Sequence, residues 1–145
     1  MTPRDAGRRP TRRRARPADL AEIATSLPGV SQVEAWGGRP AFSVGKRLFA
    51  GHRSPRPDAL DPATGERLTD VIIIWTPDEQ DKIALAEGDG PWFTTPHFNG
   101  YAAVLVRESE LGSLRYNELA EVITDAWRTR APKRLVAQWE ASRLG

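Results

Sequence analysis

The side chains that could do chemistry here are few. His52 and His97 are the only histidines, and cysteine is absent. A thiolate nucleophile, a disulfide and a Cys-ligated metal are therefore excluded. A serine triad needs a nucleophile on a strained turn next to a base, and no Gly-x-Ser-x-Gly occurs. The run "GDGP" at 88–91 lacks the lysine and helix of a phosphate loop. Asp78, Glu79, Asp81, Glu87 and Asp89 crowd into twelve residues. Their spacing is not that of an EF-hand, and acids in the first turn of a helix are accounted for by its dipole. The expectation is a protein that is not an enzyme and carries no metal or cofactor.

Two other groupings could bind. The first is cationic. Residues 1–16 hold seven arginines against one acid, Asp5. The net charge of +2 thus splits: the tail is +6, and the rest, with 14 basic side chains (21 less seven) and 18 acids (19 less one), is −4. Such a block lacks the apolar content to offset ordering, so residues 1–16 are expected to form a disordered arm. Arg8, Arg9, Arg12, Arg13, Arg14 and Arg16 could neutralise DNA phosphates without reading sequence; a purely solvating tail is the alternative. Arg128, Arg130, Lys133 and Arg134 cluster where two helices should meet, and Lys46, Arg47 and Arg53 could act as a wing beside a groove. Cations at a helix C-terminus also have a plain dipole explanation. DNA binding predicts a continuous positive surface from the tail root to Lys133.

The second grouping is aromatic. Trp36, Arg39, Trp92, His97 and Asn99 all fall at or near expected strand ends. If those ends converge, they form a polar pocket with aromatic walls for a small anion or planar ligand. If not, Trp36 and Trp92 pack a sheet edge and His97 only turns a corner. The stretch "FTTPHFNGYAAVLV" at 93–106 holds both possibilities.

The elements that must position these groups follow from pattern. Leu20, Ile23, Ala24 and Leu27 give a helix over 18–27, entered at Pro17 and stopped by Pro28-Gly29. Strands are expected over 32–36, 41–44 and 48–51, the last two joined by a tight Gly45-Lys46 turn. Residues 53–69 are a polar excursion with a turn at Asp61-Pro62 closed by Gly65. Val71–Trp75 reads as a buried central strand. Thr76 is expected to cap a short helix with Pro77 at its first position and Glu79 completing a capping box, with Ile83 and Ala84 facing inward. Short strands over 92–95 and 101–107 flank an Asn99-Gly100 hairpin turn. Leu119, Val122, Ile123, Ala126 and Trp127 make a strong helix over 116–129, and Leu135, Val136 and Trp139 a last one. A length of 145 residues suits one domain, 17–145, able to bury roughly two thirds of its unfolded surface. The fold class is α+β: a two-layer sandwich with an antiparallel sheet of five to six strands and helices on one face. An apolar run such as Val71–Trp75 is too short to span a membrane, so a soluble, cytoplasmic protein is expected.

"LPGVSQVEAWGGRPAFSVGKRLFAG" at 27–51 resembles the opening of the MmcQ/YjbR-like family. Leu27-Pro28-Gly29, Trp36-Gly37, Pro40, Phe42, Val44, Gly45-Lys46 and Phe49-Ala50 carry the likeness, and residues 92–135 resemble the family's second half. A single glycine at the 44–46 turn and the length of the 53–69 excursion depart from the pattern. The resemblance implies a frataxin-like or secretion-chaperone-like two-layer fold and DNA binding. It brings no catalytic residues. A ligand- or protein-binding module around Trp36, Trp92 and His97 is the other reading.

Overall fold

Turn chemistry lays the chain out as a meander. In a computed structural model, which describes residues 13–144, five strands follow one another: β1 (Val30–Ala35), β2 (Arg39–Val44), β3 (Arg47–His52), β4 (Val71–Trp75) and β5 (Ala103–Arg107). They pair antiparallel in chain order. Gly45 and Lys46 between β2 and β3 have φ of 55° and 68°, the two left-handed residues that a two-residue hairpin requires. Four helices accompany the sheet: α1 (Pro17–Ser26), α2 (Glu79–Glu87), α3 (Tyr116–Arg130) and α4 (Lys133–Leu144). The architecture is the expected α+β sandwich.

Register assigns the two faces. Phe42, Ala50, Ile74 and Val104 form one row across the sheet. They pack with Leu20, Ile23 and Ala24 of α1 and with Leu119, Ile123, Ala126 and Trp127 of α3. Each buried Leu or Ile contributes about 1.5–3 kcal/mol there. The adjacent row, Ala41, Gly51, Ile73 and Leu105, points to the other face. Ala59, Leu68, Phe93 and Phe98 cluster with Val71, Ile73 and Leu105 on that face. The excursion through 53–69 supplies part of this cover, held by the Leu60–Arg67 bridge. The Asp61 carbonyl accepts from Gly65 N at 2.7 Å, with Gly65 at φ 75°.

Several expectations are corrected. Residues 92–95 form no strand; Phe93 makes a single bridge to Leu105. The Asn99-Gly100 pair closes no hairpin, because Pro96–Phe98 is one 3₁₀ turn. Pro96 fixes the backbone angle that starts such a turn. Asp78, not Thr76, caps α2, its Oδ1 accepting from Asp81 N at 2.8 Å. Ile83 is 44% exposed while Lys82 is 3% exposed. The Lys82 ammonium is buried because the carbonyl of Phe98 accepts its proton.

The tail is shorter than expected at its inner end. Residues 13–16, assigned to the arm, belong to the folded body. Ala15 N donates to Leu114 O at 2.8 Å and Tyr116 N to Arg13 O at 2.7 Å. The Arg13 guanidinium makes two 3.0 Å bonds to the Asp19 carboxylate. Asp19 is 2% exposed, and a buried carboxylate needs such a partner. Arg8, Arg9 and Arg12 lie outside the described residues.

Candidate functional site

The helix-free sheet face is only half covered. Beside the loop-covered half, Trp36, Ile73 and Trp75 form the floor of a cavity of about 260 Å³. Trp36 sits in the β1–β2 turn at φ 43°, a strained value for a bulky side chain. Gly37 and Gly38 follow at φ 80° each, which lets the turn fold the indole back over the sheet. There it lies on Gly51, where a β-carbon would come within 2.5 Å of Trp36 Cζ3. The Trp36 and Trp75 rings stack with centroids 6.0 Å apart and 16° between planes.

The wall comes from two loops. Arg53, 5% exposed, donates from Nη2 to Asp58 Oδ2 at 2.7 Å. Thr95 Oγ1 donates to the same oxygen at 2.8 Å. The Arg53 hydrogen bond holds the Asp58 carboxyl below its usual range against the effect of burial. Nη1 of Arg53 and Oδ1 of Asp58 are buried without a protein partner. The Arg53 guanidinium lies 5.1 Å from the centre of the Phe98 ring. Lys82 clamps the Phe98 carbonyl, and Glu79 Oε2 accepts from Gly100 N at 2.9 Å. These clamps set His97, Phe98 and Tyr101 along the cavity.

Of the residues singled out for this pocket, Trp36 and His97 line it and the other three do not. Trp92 belongs to the helix-side core. Arg39 donates to Thr69 O at 2.9 Å. Asn99 caps the 3₁₀ turn with its backbone. Sequence reasoning placed Arg53 in a cationic wing and did not assign it, Arg56, Trp75 or Tyr101 to this pocket. The available signal was alternation: Arg53, just past the end of β3, is two residues from Gly51, so the strand's period of two continued through it puts both on one face.

The cationic groups divide into three places. At the β2–β3 turn, Gly45 packs on Pro132, whose ring carbons would lie 3.5 Å from a β-carbon there. This contact seats Lys46 and Arg47 beside the α3–α4 junction with Arg130, Lys133 and Arg134. Arg130 Nε donates to Leu48 O at 3.0 Å, and its guanidinium is 5.2 Å from the Trp75 ring centre. Burial, and then the neighbouring Arg47, lower the Arg130 pKa from its ordinary value. Lys46, Arg47, Lys133 and Arg134 are exposed, and none forms an ion pair among the described residues. Arg128 stands apart, paired with Asp125 at 3.3 Å and Glu140 at 3.4 Å. The tail root lies at the far end of α3: Arg13 is occupied by Asp19, and Arg14 donates to Ser113 O at 3.2 Å. A 15-residue helix is roughly 20 Å long, so the tail root and the Lys133 corner are separate cationic elements and not the continuous positive surface that was expected.

Among the described residues no group of three or more His, Asp or Glu is placed to hold a metal ion, and no helix is long and apolar enough to cross a membrane.

The YjbR family profile matches residues 25–129, from the end of α1 to the end of α3. The chain belongs to the YjbR family. The matched span of this YjbR domain includes the cavity floor, both its wall loops and all of β1–β5. Uncharacterized proteins of Mycobacterium bovis and Mycobacterium tuberculosis are 39% identical to it over 129 residues, covering 86% of this chain and 95% of theirs.

Proposed function

We propose that this YjbR protein is a non-enzymatic, cytoplasmic DNA-binding protein that holds phosphates at the corner between the β2–β3 turn and the α3–α4 junction. The observation that carries this reading is the seating of Gly45 on Pro132, which gathers five cations from two distant segments. Like charges held together repel in the free protein, and Arg47 adds to burial in lowering the Arg130 pKa. An anion offsets it. The corner presents point charges and no base-reading motif, so recognition follows the backbone and is largely independent of sequence. The N-terminal arginines act as a second element, tethered at the opposite end of α3.

The test is fluorescence anisotropy with duplex DNA at several salt concentrations. The full chain is compared with a variant carrying Lys46→Ala, Arg47→Ala, Lys133→Ala and Arg134→Ala. The expected result is affinity that falls steeply with salt and is much reduced in the variant. Unchanged affinity in the variant places the contacts elsewhere, and absence of binding at low salt overturns the proposal.

A further inference from the structure

The half-open cavity on the second sheet face is built from aromatic and cationic residues. Trp36, Trp75, Phe98 and Tyr101 line it together with Arg53 and Arg56, and no carboxylate is among its lining residues. None of the corner's five cations lines it, and the two places meet only where Arg130 lies 5.2 Å from the centre of the Trp75 ring. Tyr101 is 62% exposed, an aromatic ring at the cavity with most of its surface open to solvent.

Three features mark this as a built site. Gly51 is needed for its floor, because any side chain there displaces the Trp36 indole. Trp36 holds a strained backbone angle to reach that position, and strain of this kind is retained where the surrounding structure imposes it. Arg53 is a nine-tenths-buried cation among the lining residues with one nitrogen lacking a protein partner. Asp58 neutralises Arg53 from behind, which leaves Arg56 as the exposed cation at the cavity.

The volume selects the ligand's size. At about 260 Å³ the cavity falls just below the roughly 300–1,000 Å³ of drug-sized pockets, so it takes one flat ring system and not an extended molecule. Aromatic side chains with flanking arginine suit a nucleobase: stacking accepts any base, and the cation meets its phosphate. We propose that the cavity binds a single nucleobase carrying a phosphate, stacked against Trp36 and Trp75 with the phosphate toward Arg56. That chemistry is shared by a free nucleotide and by an unpaired base within a single strand.

The experiment titrates the full chain with adenosine monophosphate, thymidine monophosphate, a short oligothymidylate and a DNA duplex, following tryptophan emission. Arg56→Ala and Tyr101→Ala alter exposed side chains and serve as the primary variants. Trp36→Ala is interpreted only with a thermal melt showing a folded protein. Quenching by the mononucleotides that weakens tenfold or more in Arg56→Ala identifies a free nucleotide as the ligand. Quenching by the oligothymidylate alone, with the same sensitivity, identifies the base in a single strand. No quenching by either up to millimolar concentration, or binding that Arg56→Ala and Tyr101→Ala both leave unchanged, overturns the proposal. The four-residue corner variant should bind the mononucleotides normally, so loss of duplex binding there is independent of the cavity.

Discussion

The indole of Trp36 occupies the space a side chain at Gly51 would fill. A β-carbon on Gly51 would lie 2.5 Å from Trp36 Cζ3, 2.7 Å from Ala41 Cβ and 2.9 Å from Ala41 Cα. One of these neighbours is a ring that can swing out and another is backbone that cannot move alone. Gly51 does not need its conformational freedom here; it needs to be small. Gly51→Ala should therefore cost about 1–3 kcal/mol, the usual penalty for overpacking, and move Trp36 into solvent. Urea denaturation and a red shift of tryptophan emission check both halves. A variant with wild-type stability and emission would show that the ring does not rest on Gly51.

The Arg53–Asp58–Thr95 bonds tie both wall loops to the sheet. Asp58→Asn leaves the buried Arg53 charge without its counterion and should cost about 1–3 kcal/mol at neutral pH. The pH dependence has a definite sign. Hydrogen bonding from Arg53 depresses the folded-state pKa of Asp58. Its stabilisation is complete above the unfolded carboxylate value of about 3.9 and is lost as pH falls through the lower folded value. Melting temperatures of the wild type and the variant should differ at pH 7 and converge in acid. Curves that stay parallel down to pH 2 would remove Asp58 from the linkage.

Arg13 closes the N-terminal end of the fold. Burial raises the Asp19 carboxyl pKa, but the Arg13 bonds and the Arg16 amide outweigh that and lower it overall. A chain beginning at Arg13 should melt like the full chain. One beginning at Pro17 loses the guanidinium, exposes Leu114 O and should melt at lower temperature. Arg13→Ala within the full chain should reproduce part of that loss, since Asp19 retains its 2.7 Å bond from Arg16 N. Equal melting of all four proteins would make the Arg13–Asp19 pair energetically silent.

Strong periodicity was readable and isolated polar anchors were not. Leu119, Ile123 and Ala126 repeat at helical spacing, and all three are buried on one face of α3. The Val71–Trp75 run is a central strand, flanked by β3 and β5. In contrast, α2 has no clear apolar stripe, so Ile83 was expected inside where Lys82 lies. Only the carbonyl of Phe98, sixteen residues away, makes a buried lysine tolerable, and sequence spacing cannot reveal that partner. Trp36 and Trp92 were grouped as strand-end aromatics. Whether each faces the helices or the open side depends on register, and Trp92 and Phe93, as neighbours, point to opposite cores. Arg13 to Arg16 read as solvated charge because nothing local shows Asp19 waiting for a cation.

Lys82 links α2 to the cavity wall. Its ammonium reaches the carbonyl at the end of the Pro96–Phe98 turn, and Glu79 on the same helix holds the next amide but one, Gly100 N. Both bonds fix His97, Phe98 and Tyr101 without touching the cavity. Lys82→Met keeps the length and the buried stem while removing the donor. The Phe98 carbonyl then keeps only the 3.0 Å bond from the Tyr101 amide, and losing a hydrogen bond from a charged donor costs about 1.5–3 kcal/mol. Loosening should concentrate at 96–101, because Leu85 still packs α2 against the helix-side core and Glu79 alone then holds the turn. Hydrogen exchange should accelerate at Asn99 and Tyr101, whose amides donate to Pro96 and Phe98 carbonyls, while amides of β4 and β5 keep their protection. Faster exchange spread evenly over the sheet would mean that Lys82 supports the whole fold and not this wall alone.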